Sequence, residues 1–194
     1  SAQLDAPSLR RVFLADINPI DRAGLPAQPH RYYNRLSNPL VLQQSEQLRF
    51  LVTEDATGPA RNTGLVWLGD GSRRFEARPF YTIRADGSGT ATPFAWSLFT
   101  LTFSQTLPAG RYAVVGAEGR GANLIAFRFV FPGYGWGPGA IGKNSDAQFV
   151  DENFRYGNLG VWGEFLYNVP PQVEVLASAA DTSVTLYIDL VKVT

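Results

Sequence analysis

The run Leu124-Ile-Ala-Phe-Arg-Phe-Val-Phe131, continued by Pro132-Gly-Tyr-Gly-Trp-Gly-Pro-Gly-Ala-Ile-Gly142, decides how this chain is read. Its first half is apolar, aromatic and β-branched, broken only by Arg128, which is the pattern of a strand covered on both faces. Its second half alternates glycine with aromatic and proline residues, a composition that suits neither a helix nor a strand interior. The expectation is a central strand running out into a stiff, aromatic-studded loop from Phe131 to Gly142, with further strands built around it.

Towards the N-terminus, the turn residues Gly116 to Gly121 separate that run from Arg111-Tyr-Ala-Val-Val115, which follows the turn Leu107-Pro-Ala-Gly110. Phe94 to Phe103 sets Trp96, Leu98, Thr100 and Thr102 against Phe99, Leu101 and Phe103, a strand with two usable faces. Phe80 to Arg84 is closed by Asp86-Gly-Ser-Gly89, Gly64 to Leu68 by Gly69-Asp-Gly71, and Gln47 to Thr53 reads as another strand. Residues 1–36 are mostly irregular, with a short strand expected over Arg11 to Ile17 and heavy punctuation from Pro19, Gly24, Pro26 and Pro29.

Towards the C-terminus, Asn144 to Tyr156 is polar and acidic and has room for a helical turn or two. Gly160 to Tyr167 and Gln172 to Leu176 read as strands separated by Pro170-Pro171. Ser183 to Val193 has the cleanest alternation, with Val184, Leu186, Ile188 and Leu190 predicted inward against Thr185, Tyr187, Asp189 and Val191. About eight to ten antiparallel strands with Gly, Pro, Asp and Asn turns predict an all-β domain, a β-sandwich, jelly roll or barrel. Its expected span is 37–194, as one domain, preceded by an extended proline-rich arm over 1–36.

Composition narrows the function classes. A chain of 194 residues can bury a large core without staples. The absence of cysteine excludes thiol catalysis, cysteine-based zinc sites and disulfide frameworks. Basic and acidic residues balance at 17 each, so the basic excess of a strong nucleic-acid binder is missing. Lys143 and Lys192 are the only lysines, and the arginine bias fits either interface chemistry or nucleotide composition of the genome. No apolar run approaches the ~20 residues of a membrane-spanning helix. The start at Ser1, without a signal-peptide pattern, suggests removal of an initiator methionine or processing of a precursor.

No catalytic constellation emerges, and the expectation is a protein that is not an enzyme and carries no cofactor or metal. Gly137 to Asn144 approaches a phosphate-binding loop, but Asn144 stands where a hydroxyl must hold magnesium and Pro138 removes a backbone donor. His30, the one histidine, lies in the arm without a rigid element to hold it. Glu118, Glu164 and Glu174 sit at or near strands, but nothing in their spacing selects a glycosidase pair. Asp146, Asp151 and Glu152, with Asn144, lack the spacing of a calcium loop. Tyr134 and Trp136 stand out. They can stack on sugars, with Trp162 as a third ring, anchor an interface, or fold back to finish the core.

Taken together, the proline-rich arm from Pro19 to Pro29, the turn Leu107-Pro-Ala-Gly-Arg-Tyr112, the Gly-aromatic loop and the terminal strand Val184 to Val193 resemble the jelly-roll coat proteins of tailless icosahedral bacteriophages. The resemblance implies a self-assembling capsid subunit, made in the host cytoplasm and residing in the virion, whose partners are copies of itself and other coat proteins. Only Arg10-Arg11 hints at the basic arm many such coats carry, so genome contact would be weak. Physical reasoning points the same way, since zero net charge removes self-repulsion between packed copies. Prolines that pre-set extended backbone lower the entropy of docking an arm. The expected interface residues are Pro19, Pro26, Pro29, Tyr32, Tyr33, Tyr134 and Trp136, with Asp16 to Tyr33 packing on a neighbouring copy. The alternative is a carbohydrate-binding or adhesin-type module using Tyr134 and Trp136.

Overall fold

The computed structural model describes residues 2–5, 42–52, 66–68, 81–142 and 154–193. The chain divides into two compact units, Ser1–Gly64 and Leu65–Thr194. In the first, β1 (Ala2–Asp5) pairs antiparallel with β2 (Arg49–Val52), which falls inside the strand expected over Gln47 to Thr53. The expected strand at Arg11 to Ile17 lies outside the described residues.

The second unit is all-β. Its strands are β3 (Tyr81–Ala91), β4 (Trp96–Phe103), β5 (Arg111–Arg120), β6 (Leu124–Phe131), β7 (Gly135–Ile141), β8 (Gly163–Leu166), β9 (Gln172–Ala177) and β10 (Asp181–Lys192). They form one eight-stranded antiparallel sheet in the order β7-β6-β9-β4-β3-β10-β5-β8. The pairings nest: β6 with β7, β5 with β8, β4 with β9, β3 with β10. The unit is therefore a long two-stranded ribbon, tipped at residues 132–134, that coils until β3 also meets β4, β6 meets β9 and β5 meets β10.

The coil nearly closes. At the seam between edge strands β7 and β8, Phe131 packs so closely on Gly137 and Gly163 that a Cβ on either would approach its ring to 2.5 Å. The inner face follows the period of two that a half-buried strand dictates. Val184, Leu186, Ile188 and Leu190 of β10 all enter the core, where they meet Phe99, Leu101, Phe127, Phe129, Val173 and Val175. Trp67, from the stretch expected as a strand at Gly64 to Leu68, packs edge-on against Trp162 with centroids 4.8 Å apart; residues 66–68 have no regular structure.

Three expectations are corrected. The run Leu124 to Phe131 is a strand, but it lies second from an edge and only one face is fully buried, with Arg128 outside. The strand covered on both faces is β5, because residues 154–162 run along and over it, donating from Gly157 N–H to Val115 O (3.0 Å) and from Trp162 N–H to Val114 O (2.7 Å). Gly135 to Ile141 is a strand rather than a loop, since pairing with β6 outweighs its poor intrinsic propensity. Likewise the presumed turns at Asp86 to Gly89 and Gly116 to Gly121 lie largely within β3 and β5. Of the stretch expected to hold a helical turn, residues 144–153 lie outside the described residues and Phe154 to Tyr156 carries no α-helix.

Candidate functional site

Outside the barrel-like sheet, the pairing of β4, β9, β6 and β7 assembles a surface that no single stretch of sequence contains. Glu174 pairs with Arg128 on one side and Leu98 on the other, and Trp136 stands opposite Val130. The Arg128 guanidinium donates from Nε to Glu174 Oε2 (2.6 Å), and its Nη2 forms an ion pair with the same oxygen (2.5 Å). It also lies over two indoles, 4.4 Å from the Trp96 ring centroid and 4.8 Å from that of Trp136. The rings stay in solvent: Trp136 is 68% exposed and Trp96 39%, with Leu98 exposed beside them.

Two backbone irregularities flank this surface. Phe94, two residues before Trp96, has φ +58° and is held there by its N–H bond to Ala177 O (2.8 Å). In β6 the register with β7 shifts between Arg128 and Val130, and the backbones approach so closely that a Cβ on Gly139 would lie 1.9 Å from Phe127 O. A bulge of this kind re-aims the side chains around it.

No family model matches the chain, and no curated protein or solved structure matches it either. The site is therefore argued from its own geometry.

Tyr134 does not join Trp136. Its ring stacks on Phe131 (5.4 Å, 13°), and its hydroxyl crosses the seam to donate to Glu164 O (3.0 Å) while accepting from Glu164 N–H (2.5 Å). The phenol thus stands in for a backbone partner that β8 lacks on that side. Trp162 is buried in the core, 4% exposed, which removes it as a third stacking ring; neither its indole N–H nor that of Trp67 meets an acceptor among the described residues. Pro19, Pro26, Pro29, Tyr32 and Tyr33, together with His30, Lys143, Asn144, Asp146, Asp151 and Glu152, lie outside the described residues.

The three glutamates singled out from the sequence are each engaged by a different arginine: Glu174 by Arg128, Glu164 by Arg111 (3.4 Å), Glu118 by Arg120 (2.8 Å). Glu118 borders a buried polar cluster that sequence reasoning missed. Arg155 grips Asp189 through Nε–Oδ2 (2.7 Å) and Nη2–Oδ1 (2.8 Å), and its Nη1 reaches Glu118 Oε2 at 3.5 Å. Asp189 also accepts from the Thr82 hydroxyl (2.7 Å) and the Tyr156 N–H (2.9 Å). Burial alone would raise the Asp189 pKa, but the bonds from Arg155, Tyr156 and Thr82 and the charge of Arg155 outweigh it and hold the carboxyl below its ordinary range. With its oxygens occupied, Asp189 fastens residues 155–156 onto the sheet and offers no free acceptor for chemistry.

The described residues contain no group of histidine, cysteine and carboxylate side chains able to hold a metal ion, and no helix long and apolar enough to cross a membrane. Near the other end of the sheet, Leu166, Tyr167 and Val169 are exposed at and just after edge strand β8. Tyr167 and Pro170 there border an open depression of ≈ 410 Å³ with Phe103, Gln105 and Leu107.

Proposed function

We propose that this protein is a structural, self-assembling subunit of the coat-protein type, a jelly roll that builds a symmetric shell from copies of itself. The observation that carries the reading is the strand order. Its two halves, β3-β10-β5-β8 and β4-β9-β6-β7, are what a four-pair ribbon yields when rolled up, the strand arrangement of an eight-stranded jelly roll with two Greek keys. Capsid domains share that architecture with lectins and cupins, so the topology alone is a fold-level analogy. The surface adds the second support. Leu166, at the end of β8, and Tyr167 and Val169 just after it form an exposed apolar patch suited to burial against another copy. The chain's zero formal net charge favours dense packing of identical subunits.

Negative-stain microscopy and mass photometry of the purified full chain test the proposal. Closed rings or shells are expected, reduced to smaller species by Leu166→Glu. A strict monomer across salt and pH overturns the reading.

A further inference from the structure

We propose that the face formed by Trp96, Arg128, Glu174 and Trp136 is a binding platform for a neutral polysaccharide. This goes beyond the assembly reading and uses a different surface. Three observations converge on it.

The rings are exposed but fixed. Arg128 lies against both indoles at 4.4 and 4.8 Å, and Glu174 fixes the guanidinium in turn. A ligand therefore meets aromatic surface that is already ordered, which lowers the entropy cost of binding. Next, the backbone is distorted on both flanks, with Phe94 at φ +58° before Trp96 and the register shift at Arg128/Val130 opposite Trp136. A bulky residue in the left-handed region is a genuine outlier, and such distortions gather at ligand sites.

The third observation selects the ligand class. Arg128 and Glu174 cancel each other's charge, so the platform offers no uncompensated cation to a phosphate or sulfate backbone. Yet both arginine contacts fall on Glu174 Oε2, which leaves guanidinium donors at Nη1 and an acceptor at Glu174 Oε1. A purely apolar partner would bury that capacity unused, at a cost. A pyranose matches both halves, since its C–H face covers an indole while its ring-edge hydroxyls both donate and accept.

Affinity electrophoresis of the full chain in native gels containing dextran, laminarin, mannan or hydroxyethyl cellulose tests this, with heparin and oligo-dT as anionic comparators. Retardation by at least one neutral polymer is expected. Trp136→Ala should weaken it about tenfold, as the loss of one stacked ring implies, and Trp96→Ala should weaken it too. Arg128→Lys keeps the charge but loses the planar guanidinium that lies against both indoles; it should weaken retardation less than Trp136→Ala while changing the tryptophan emission of the free protein. Leu166→Glu should leave retardation unchanged, which separates this result from failure of the assembly reading. The proposal is overturned if no neutral polymer retards the protein, if Trp136→Ala binds as well as the unmodified chain, or if only heparin or oligo-dT binds.

Discussion

Arg155 and Asp189 form their ion pair beneath the segment that crosses β5, whereas Arg128 and Glu174 form theirs in the open between two indoles. Both set an arginine against a carboxylate on the outer side of the sheet, the first as a fork onto two oxygens, the second onto one. In the covered pair, the aspartate side chain is fully buried and accepts from Arg155, Thr82 and Tyr156. In the open pair, the arginine keeps 29% and the glutamate 17% of their side-chain exposure, and one oxygen of the carboxylate remains available. The same chemistry therefore serves two ends. Under cover it pins one piece of chain to another, and its removal leaves an uncompensated charge. Partly exposed, it contributes less to stability and presets a surface.

The largest test of that contrast removes the buried cation. Arg155→Met strands Asp189 and should cost about 3–5 kcal/mol in urea denaturation, most of it recovered by adding Asp189→Leu. Equal losses in the single and double variants would mean that the pair itself, not the stranded charge, sets the cost.

An uncharged fastening provides the next comparison. Gly163→Ala drives a Cβ towards the Phe131 ring at the seam and should cost about 1–3 kcal/mol by overpacking. A loss near zero would show that the seam yields where the buried pair does not.

Acid should test the covered pair by titration. The Asp189 carboxyl lies below its ordinary range when folded, so its contribution is fully present above the unfolded value of about 4 and is lost as pH falls through the folded value. Arg155, Thr82 and the Tyr156 N–H face it directly, and Glu118 shares Arg155. Stability should fall on acidification below about pH 4, and Asp189→Asn should fall less steeply over that range. Identical slopes would assign the acid sensitivity elsewhere.

Smaller effects are expected where a single neutral hydrogen-bonding group is removed. Tyr134→Phe deletes the hydroxyl that serves both polar groups of Glu164 and should cost about 1 kcal/mol. Hydrogen exchange at the Glu164 amide should accelerate more than in the rest of β8. Smallest of all, Arg128→Ala should change stability by about 0–1 kcal/mol while shifting tryptophan fluorescence. A loss comparable to that of Arg155→Met would erase the distinction between the two pairs.

Much of the fold is legible in the sequence because burying one face of a strand forces a period of two. That rule places Val184, Leu186, Ile188 and Leu190 inside the core. It fails where the determining partner is remote. Cover over the outside of β5 comes from residues 154–162, and no local pattern in Arg111 to Arg120 announces it. Arg128, the one break in an apolar run, is the local mark of an outer face, yet the run reads as covered on both sides. β7 reads as a loop because its glycines have poor strand propensity, and their use emerges only against β6 and the Phe131 ring. Of the platform, Trp136 is visible from its loop-like setting, whereas Trp96 and Arg128 join it only through the β4-β9-β6-β7 pairing. Asp189 reads only as a residue opposite the inward face, since nothing near it in sequence foretells Arg155.

The nested ribbon also sets an order in time. Its innermost hairpin, β6 with β7, is local and can form early, but the outermost pair joins residues far apart along the chain. Asp86 and Thr185 are 99 residues apart, and Thr82 and Asp189 are 107 apart. β3 cannot gain its β10 partner until residues 181–192 have been synthesised, and β5 waits for the same strand. Topologies dominated by such distant pairings fold in roughly milliseconds to seconds, well behind local hairpins. During synthesis, β3 and β5 therefore remain without the strand that lies between them, and the growing chain must avoid strand pairing with its neighbours until β10 arrives.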